Sequence, residues 1–194
     1  MADAPAPKKK SIKRLILRRR AKRDTLWPDA AGVVFSPASG GWTQMPRTIP
    51  MIASLIDELC GRDKAGRLYI TLWAYEFGDG FVEVPDPAIL ALEAGYVTNR
   101  AERSFHERMT ILRELGLVRA APLGLREFGY VLLLDPHHVI AKMYYKKPGK
   151  VPPHWWTAFV ARCGTIGITL QSKDYLLAFD DAGFVDVSED PRLS

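Results

Sequence analysis

The stretch from Asp86 to Leu134 constrains this chain most, because its punctuation fixes the order of elements. Asp86-Pro87 pairs a capping side chain with a residue whose locked φ suits the first helical position. Ile89, Leu90, Leu92 and Ala94 supply the apolar face of a short helix, and Gly95 ends it. Thr98 or Asn99 caps a longer helix running from Arg100 to Leu115, with Ala101, Phe105, Met109, Leu112 and Leu115 as its buried stripe. Gly116 stops that helix in the position just past its end. Leu117 to Ala121 and Tyr130 to Leu134 read as paired strands, with Leu123 to Gly129 as the loop between them.

Helices flank this unit on both sides. Upstream, Ile52, Leu55, Ile56 and Leu59 form one apolar stripe, with Thr48 near its start as a cap. Leu68 to Phe77 carries strand-favouring residues, yet Tyr69, Leu72, Trp73 and Phe77 trace a helical face, and its length suits a helix. Phe81 to Val84 is a short strand bounded by Pro85. Downstream, Asp135-Pro136 repeats the helix-start signal before Val139, Ile140, Met143 and Tyr144. A last substantial helix carries Trp156, Phe159, Val160, Cys163 and Ile166, and Leu170 to Phe179 reads as a further short one. Val33 to Phe35 reads as a short strand within a linker. The expected fold class is mainly α with a small β-hairpin, hence α+β.

Charge is distributed unevenly. Residues 8–23 hold ten basic side chains and no acid: Lys8, Lys9, Lys10, Lys13, Arg14, Arg18, Arg19, Arg20, Lys22 and Arg23. Removing those ten from the chain's 27 leaves 17 basic residues against 22 acidic, so the remainder carries −5. Three readings fit the basic run. Ile12, Leu15 and Ile16 stand at helical spacing, enough for a short helix on a partner; otherwise the run is an unstructured arm that follows nucleic-acid phosphates, a solvated tail, or a membrane-surface segment, the last disfavoured by a tiny apolar stripe without aromatics.

With 47% hydrophobic and 25% charged residues, the composition is that of a globular protein, and no apolar run approaches membrane-spanning length. No signal peptide is visible, and Cys60 and Cys163 give neither a disulfide framework nor ligand spacing. The expectation is a reducing cytoplasm. His137-His138 lacks a companion HxxxH or CxxC, and there is no Walker loop and no GxGxxG. The chain is therefore read as non-enzymatic, without cofactor, metal or small-molecule substrate.

The segments GYVTNRAERSFHERMTILRELG and LRELGLVRAAP…YVLLLDPHHVI resemble the turn, recognition helix and hairpin of winged helix-turn-helix DNA-binding proteins of plasmids and phages. GGWTQMPRTIPMI is similar to a segment of mobile-element proteins of the same kind. The resemblance covers about a third of the chain. It implies a winged-helix core with extra flanking helices and binding to double-stranded DNA, and leaves replication, regulation and maintenance open. The implied layout is a basic arm over 1–25, the winged domain with its extension over 26–146, a helical extension over 147–179 on the same core, and a loose acidic tail over 180–194.

If Phe105, Met109 and Leu112 face inward, the opposite face presents Arg100, Arg103 and Glu107, flanked by Asn99, Ser104 and His106. These side-chain types read base edges: Arg pairs with guanine, Asn with adenine, and Glu accepts from cytosine. A solvated face with internal ion pairs is the competing reading. Arg119 and Arg126 on the hairpin are candidates for phosphate contacts, as is the basic run. The aromatic last helix, with Trp155 and Trp156, is either core or a surface for a homodimer or protein partner.

Overall fold

No glycine or proline interrupts the chain between Lys8 and Leu26, and this basic run is helical. A computed structural model describes residues 9–28, 41–96 and 100–170 of the chain. They fall in two units, 1–42 and 43–194. In the first, α1 spans Lys9–Leu26. The sequence reading has this run without structure except on a partner. Its Lys, Arg, Leu and Ala content is helix-forming, which favours the observed conformation. The strands read at Val33–Phe35 and the helix at Leu170–Phe179 lie largely or wholly outside the described residues.

The second unit is α+β, with six helices and one small sheet among its described residues. Its first two helices are α2, Ile49–Cys60, and α3, Gly66–Ala74. Ile49, Ile52, Leu55 and Ile56 are fully buried, so the helical stripe is wider than the one read from Ile52 onward. α3 makes most of the ambiguous stretch helix, with Leu68, Tyr69 and Leu72 inward, but it ends at Ala74, and Phe77, read as part of its apolar face, lies beyond it and is exposed. The two helices approach so closely at Gly66 that a Cβ there would stand 2.3 Å from the Ala53 carbonyl oxygen. The Gly66 N–H donates to the Asp57 carboxylate at 2.8 Å, so the close approach is also hydrogen-bonded.

After α3 the chain turns around a buried carboxylate. Glu76 is 4% exposed, and its Oε1 accepts the backbone N–H groups of Gly78 and Gly80. This satisfies a buried anion with donors that the glycine turn supplies. The turn leads into β1, Phe81–Glu83.

α4, Pro87–Glu93, begins as expected, with Asp86 accepting the Ala88 N–H at 2.7 Å. Its buried face is Leu90, Ala91 and Ala94, whereas Ile89 and Leu92 are exposed. The correction follows from helix geometry, since Ile89 and Leu92 share a side with each other and not with Leu90. α5, Ala101–Glu114, buries Phe105, Met109 and Leu112. Each such burial contributes about 1.5–3 kcal/mol. Both helices end in the same way. Gly95 and Gly116 are left-handed, with φ 83° and 73°. Tyr96 and Leu117 donate back to the carbonyls of Ala91 and Leu112 at 2.8 and 3.0 Å. This capping pattern closes the helix and reverses the chain.

β2, Val118–Leu123, and β3, Arg126–Leu133, form a hairpin, and β1 pairs on the far side of β3, giving the antiparallel order β1-β3-β2. The hairpin is longer and its turn tighter than the loop read over Leu123–Gly129. Only Gly124 and Leu125 lie between the strands, with Gly124 at φ 60°. A glycine with positive φ at the first turn position matches the twist of the strands. A bulge falls between Ala121 and Leu123, where Pro122 has no N–H to give. Opposite it, a Cβ on Gly129 would lie 2.1 Å from that of Leu123.

α6, Pro136–Lys146, and α7, Pro153–Ile166, close the core. The inward stripe of α7 is Trp155, Phe159 and Cys163; Val160 is exposed and Trp156 is only partly buried, stacked on Tyr144 at 4.3 Å. α6 is tied to α2 by a polar relay. His137 Nδ1 lies 3.0 Å from Asp135 Oδ1, and Nε2 lies 2.7 Å from the Thr48 hydroxyl. Thr48 sits at the start of α2 as expected, yet its side chain makes no capping bond. With Nδ1–H given to Asp135, Nε2 accepts the Thr48 hydroxyl proton, and the ring stacks on Phe159.

Two glycines of different surroundings give opposite expectations. Gly66→Ala should destabilise by about 3 kcal/mol, because the new methyl meets backbone. Gly164→Ala, in α7 with nothing within 4 Å, should stabilise by about 0.5–1 kcal/mol. Denaturant midpoints of the two variants test both signs. The His137 hydrogen bond holds the Asp135 carboxyl below its usual range. A lowered carboxyl pKa contributes stability above the unfolded value of about 4 that is lost as pH falls below it. Asp135→Asn should therefore flatten the acid limb of a pH-stability curve, and an unchanged limb would remove the relay from acid unfolding.

Candidate nucleic-acid interface

α5 turns a charged face outward because its apolar stripe is fully occupied by the core. On that face the Arg103 and Glu107 side chains are 69% and 45% exposed, and Arg103 Nε donates to Glu107 Oε1 at 2.8 Å. The hydrogen bond from Arg103, followed by attraction to neighbouring arginines, holds the Glu107 carboxyl below its usual range. Arg100 is exposed at the N-terminal boundary of α5, and Ser104 is half-buried. Asn99 lies outside the described residues. The structure thus brings Arg100, Arg103 and Glu107 onto one surface, where Arg103 and Glu107 pair with each other.

Arg108 is the residue of α5 that sequence periodicity missed. Its side chain is 14% exposed. Its guanidinium lies 4.3 Å above the Tyr96 ring, and it donates to the carbonyls of Lys64 and Ser104, each at 3.1 Å. It therefore fastens the turn between α2 and α3 onto α5, a role for the planar, multiply donating guanidinium. An open depression of about 650 Å³ results, lined by Arg62, Asp63, Glu107, Thr110 and Ile111. Arg62 and Lys64 thereby flank the outward face of α5, together with the acid Asp63. Sequence gave no sign of this, since the turn precedes α5 by more than thirty residues.

The hairpin is less available for phosphate than its two arginines suggest. Arg126 Nη1 donates to the carbonyls of Val84 and Pro85 at 3.2 and 2.9 Å, bracing the hairpin against the end of β1. Arg119 is half-buried, at the base of β2 opposite Leu132. Arg113 Nη1 pairs with Glu127 at 2.9 Å and lies over Phe128. The tip is Leu125, fully exposed.

The negative remainder does not lie in the described residues of the second unit. Residues 43–170 hold 15 basic and 13 acidic side chains, a net +2, whereas residues 171–194 hold 2 basic and 6 acidic. Residues 1–42 hold 10 basic and 3 acidic, a net +7. In α1, Arg14, Arg18, Arg19, Arg20 and Lys22 are exposed, while Arg23 is half-buried and pairs with Asp24. Lys9, Lys10 and Lys13 belong to the same helix. Lys8 lies outside the described residues.

Other chemistry finds little support among the described residues. Thr48, His137 and Asp135 line up as hydroxyl, imidazole and carboxylate, but Thr48 is 1% exposed and offers no approach to a substrate. Burial pushes the thiols of Cys60 and Cys163 up, away from the reactive thiolate. Among the described residues no cluster of three His, Cys, Asp or Glu could hold a metal, and no helix is long and apolar enough to cross a membrane. In comparisons with known proteins, no family model, curated protein or solved structure matches the chain.

The bracing by Arg126 has a measurable consequence. Arg126→Ala should lower stability by about 1 kcal/mol, the net worth of a charged donor on backbone carbonyls at a partly wet site. Thermal melting without any ligand measures it, and a melting temperature equal to that of the unaltered chain would return Arg126 to the set of free surface charges.

Proposed function

We propose that this chain is a non-enzymatic, winged-helix protein that binds double-stranded DNA. In this reading α4 and α5 are the helix-turn-helix, β2 and β3 the wing, and α2, α6 and α7 the flanking helices. The observation that carries it is the outward face of α5. A 14-residue helix buries one side in the core and presents Arg100, Arg103 and Glu107 on the other. Such a helix has the length and side chains to enter a major groove. The element order from α3 to β3, with Gly95 and Gly116 reversing the chain, supports the winged-helix assignment.

The grip comes mainly from elsewhere. A body of +2 attracts a polyanion weakly, so α1 supplies most of the phosphate contacts. Arg14, Arg18 and Lys22 follow one another at intervals of four residues, as do Arg19 and Arg23, and like charges at that spacing repel. DNA phosphates relieve that repulsion, so the helix and the duplex stabilise each other. Arg62 and Lys64 add contacts beside α5. Regulation, replication and maintenance of a mobile element all employ such a protein.

A second reading, a protein-interaction module within a nucleoprotein assembly, draws on the exposed Ile89 and Leu92 of α4. It no longer leans on Trp155, which the core holds.

Salt titrations of duplex binding separate the contributions. If residues 1–25 neutralise about six phosphates, a chain starting at Leu26 should show a slope of log K against log salt flatter by roughly five units. An equal slope would take the basic helix out of the mechanism. No duplex binding by the full chain would favour the interaction module.

A further inference from the structure

We infer that Arg103 reads a guanine and that Glu107 is the carboxylate that aims it. This rests on the duplex-DNA reading above and narrows it to a base and a geometry. The hydrogen bond of this pair runs from Arg103 Nε to Glu107 Oε1, 2.8 Å. An arginine held at Nε keeps Nη1 and Nη2 together as a fork directed away from its tether. That fork fits guanine O6 and N7 in the major groove. Holding the side chain before binding also reduces the rotamer freedom lost on contact.

The same geometry argues against the alternatives on this face. Glu107 Oε1 already accepts from Arg103, and Oε2 lies 3.8 Å from Arg108 Nη1. The hydrogen bond to Arg103 is what makes Glu107 a positioning residue. Arg108 cannot extend to a base while its guanidinium is stacked on Tyr96 and bonded to the Lys64 and Ser104 carbonyls. Arg103, at 69% side-chain exposure and one turn into α5, has the reach that Arg108 lacks.

Selection from random duplex DNA by the full chain, followed by titration of the selected duplex and of one with the guanine replaced, tests the assignment. A fixed guanine should emerge, and replacing it should weaken binding between about five-fold and about a hundred-fold. Arg103→Lys keeps the charge and loses the fork, so it should lose the guanine preference, its affinity for the selected duplex falling more than that for random duplex. Glu107→Gln retains an oxygen that accepts from Nε and should keep the preference. Glu107→Ala should lose much of it while binding random duplex at least as well, because a negative charge has left the face. A merely structural role would instead shift melting temperature and all duplexes together. If the full chain binds no duplex, the DNA-binding reading falls and this inference with it. If it binds but selects no guanine, or Arg103→Lys keeps the preference, only this inference is overturned and Arg103 becomes a phosphate contact. If a cytosine preference disappears in Glu107→Ala, Glu107 is the reader and the assignment is again overturned.

Discussion

The burial of Phe105, Met109 and Leu112 is the interaction on which the second unit depends. A helix of 14 residues is marginal in water by itself, so α5 exists because one of its faces is taken up by the core. That burial orients the helix, and orientation alone decides which charges look outward. The glycines that end α4 and α5 do the rest. Gly95 and Gly116 adopt a backbone conformation that costs other residues about 1–2 kcal/mol, and so bring α4 and β2 back against the same core.

Four arginines on or near α5 show how far context divides one side-chain type. Arg103 stands exposed with its carboxylate partner. Arg108 is folded over Tyr96 and holds a distant turn in place. Arg113 joins α5 to β3 through Glu127, and Arg126 braces the hairpin on the carbonyls of Val84 and Pro85. A count of basic residues treats all four as equal contributors to a positive surface. Hydrogen-bond geometry leaves Arg103 as the one with a free fork. In the proposed DNA-binding reading, that contrast with a strongly basic α1 suits a division between selection and grip.

The fold was legible wherever capping and punctuation spoke locally. Asp86-Pro87, Asp135-Pro136, Gly95 and Gly116 each mark a boundary by the conformation of one or two residues, and each boundary stands where they put it. Stripes were legible less well. Ile89 and Leu92 look inward by composition but face outward, because a seven-residue helix touches the core with less than half its surface. The α7 stripe shifted by one residue at its start, from Trp156 to Trp155: both rings reach Phe159, but Trp155 is buried, whereas Trp156 is only partly buried and stacks on Tyr144. Of the candidate surface, Arg100, Arg103 and Glu107 came from helical spacing, whereas Arg62, Lys64 and the bracing by Arg108 did not.

The sequence by itself determined the element order from α2 to α7, the α+β class and the segregation of charge toward the N-terminus, since these follow from backbone propensity, capping and composition over short spans. Tertiary structure decided which charges are available. It buried Glu76 among the N–H groups of a glycine turn, linked Thr48 to His137 across 89 residues, and set Lys64 beside Arg108 across 44. Contacts between residues so far apart depend on how helices pack, and packing is settled by the whole core at once.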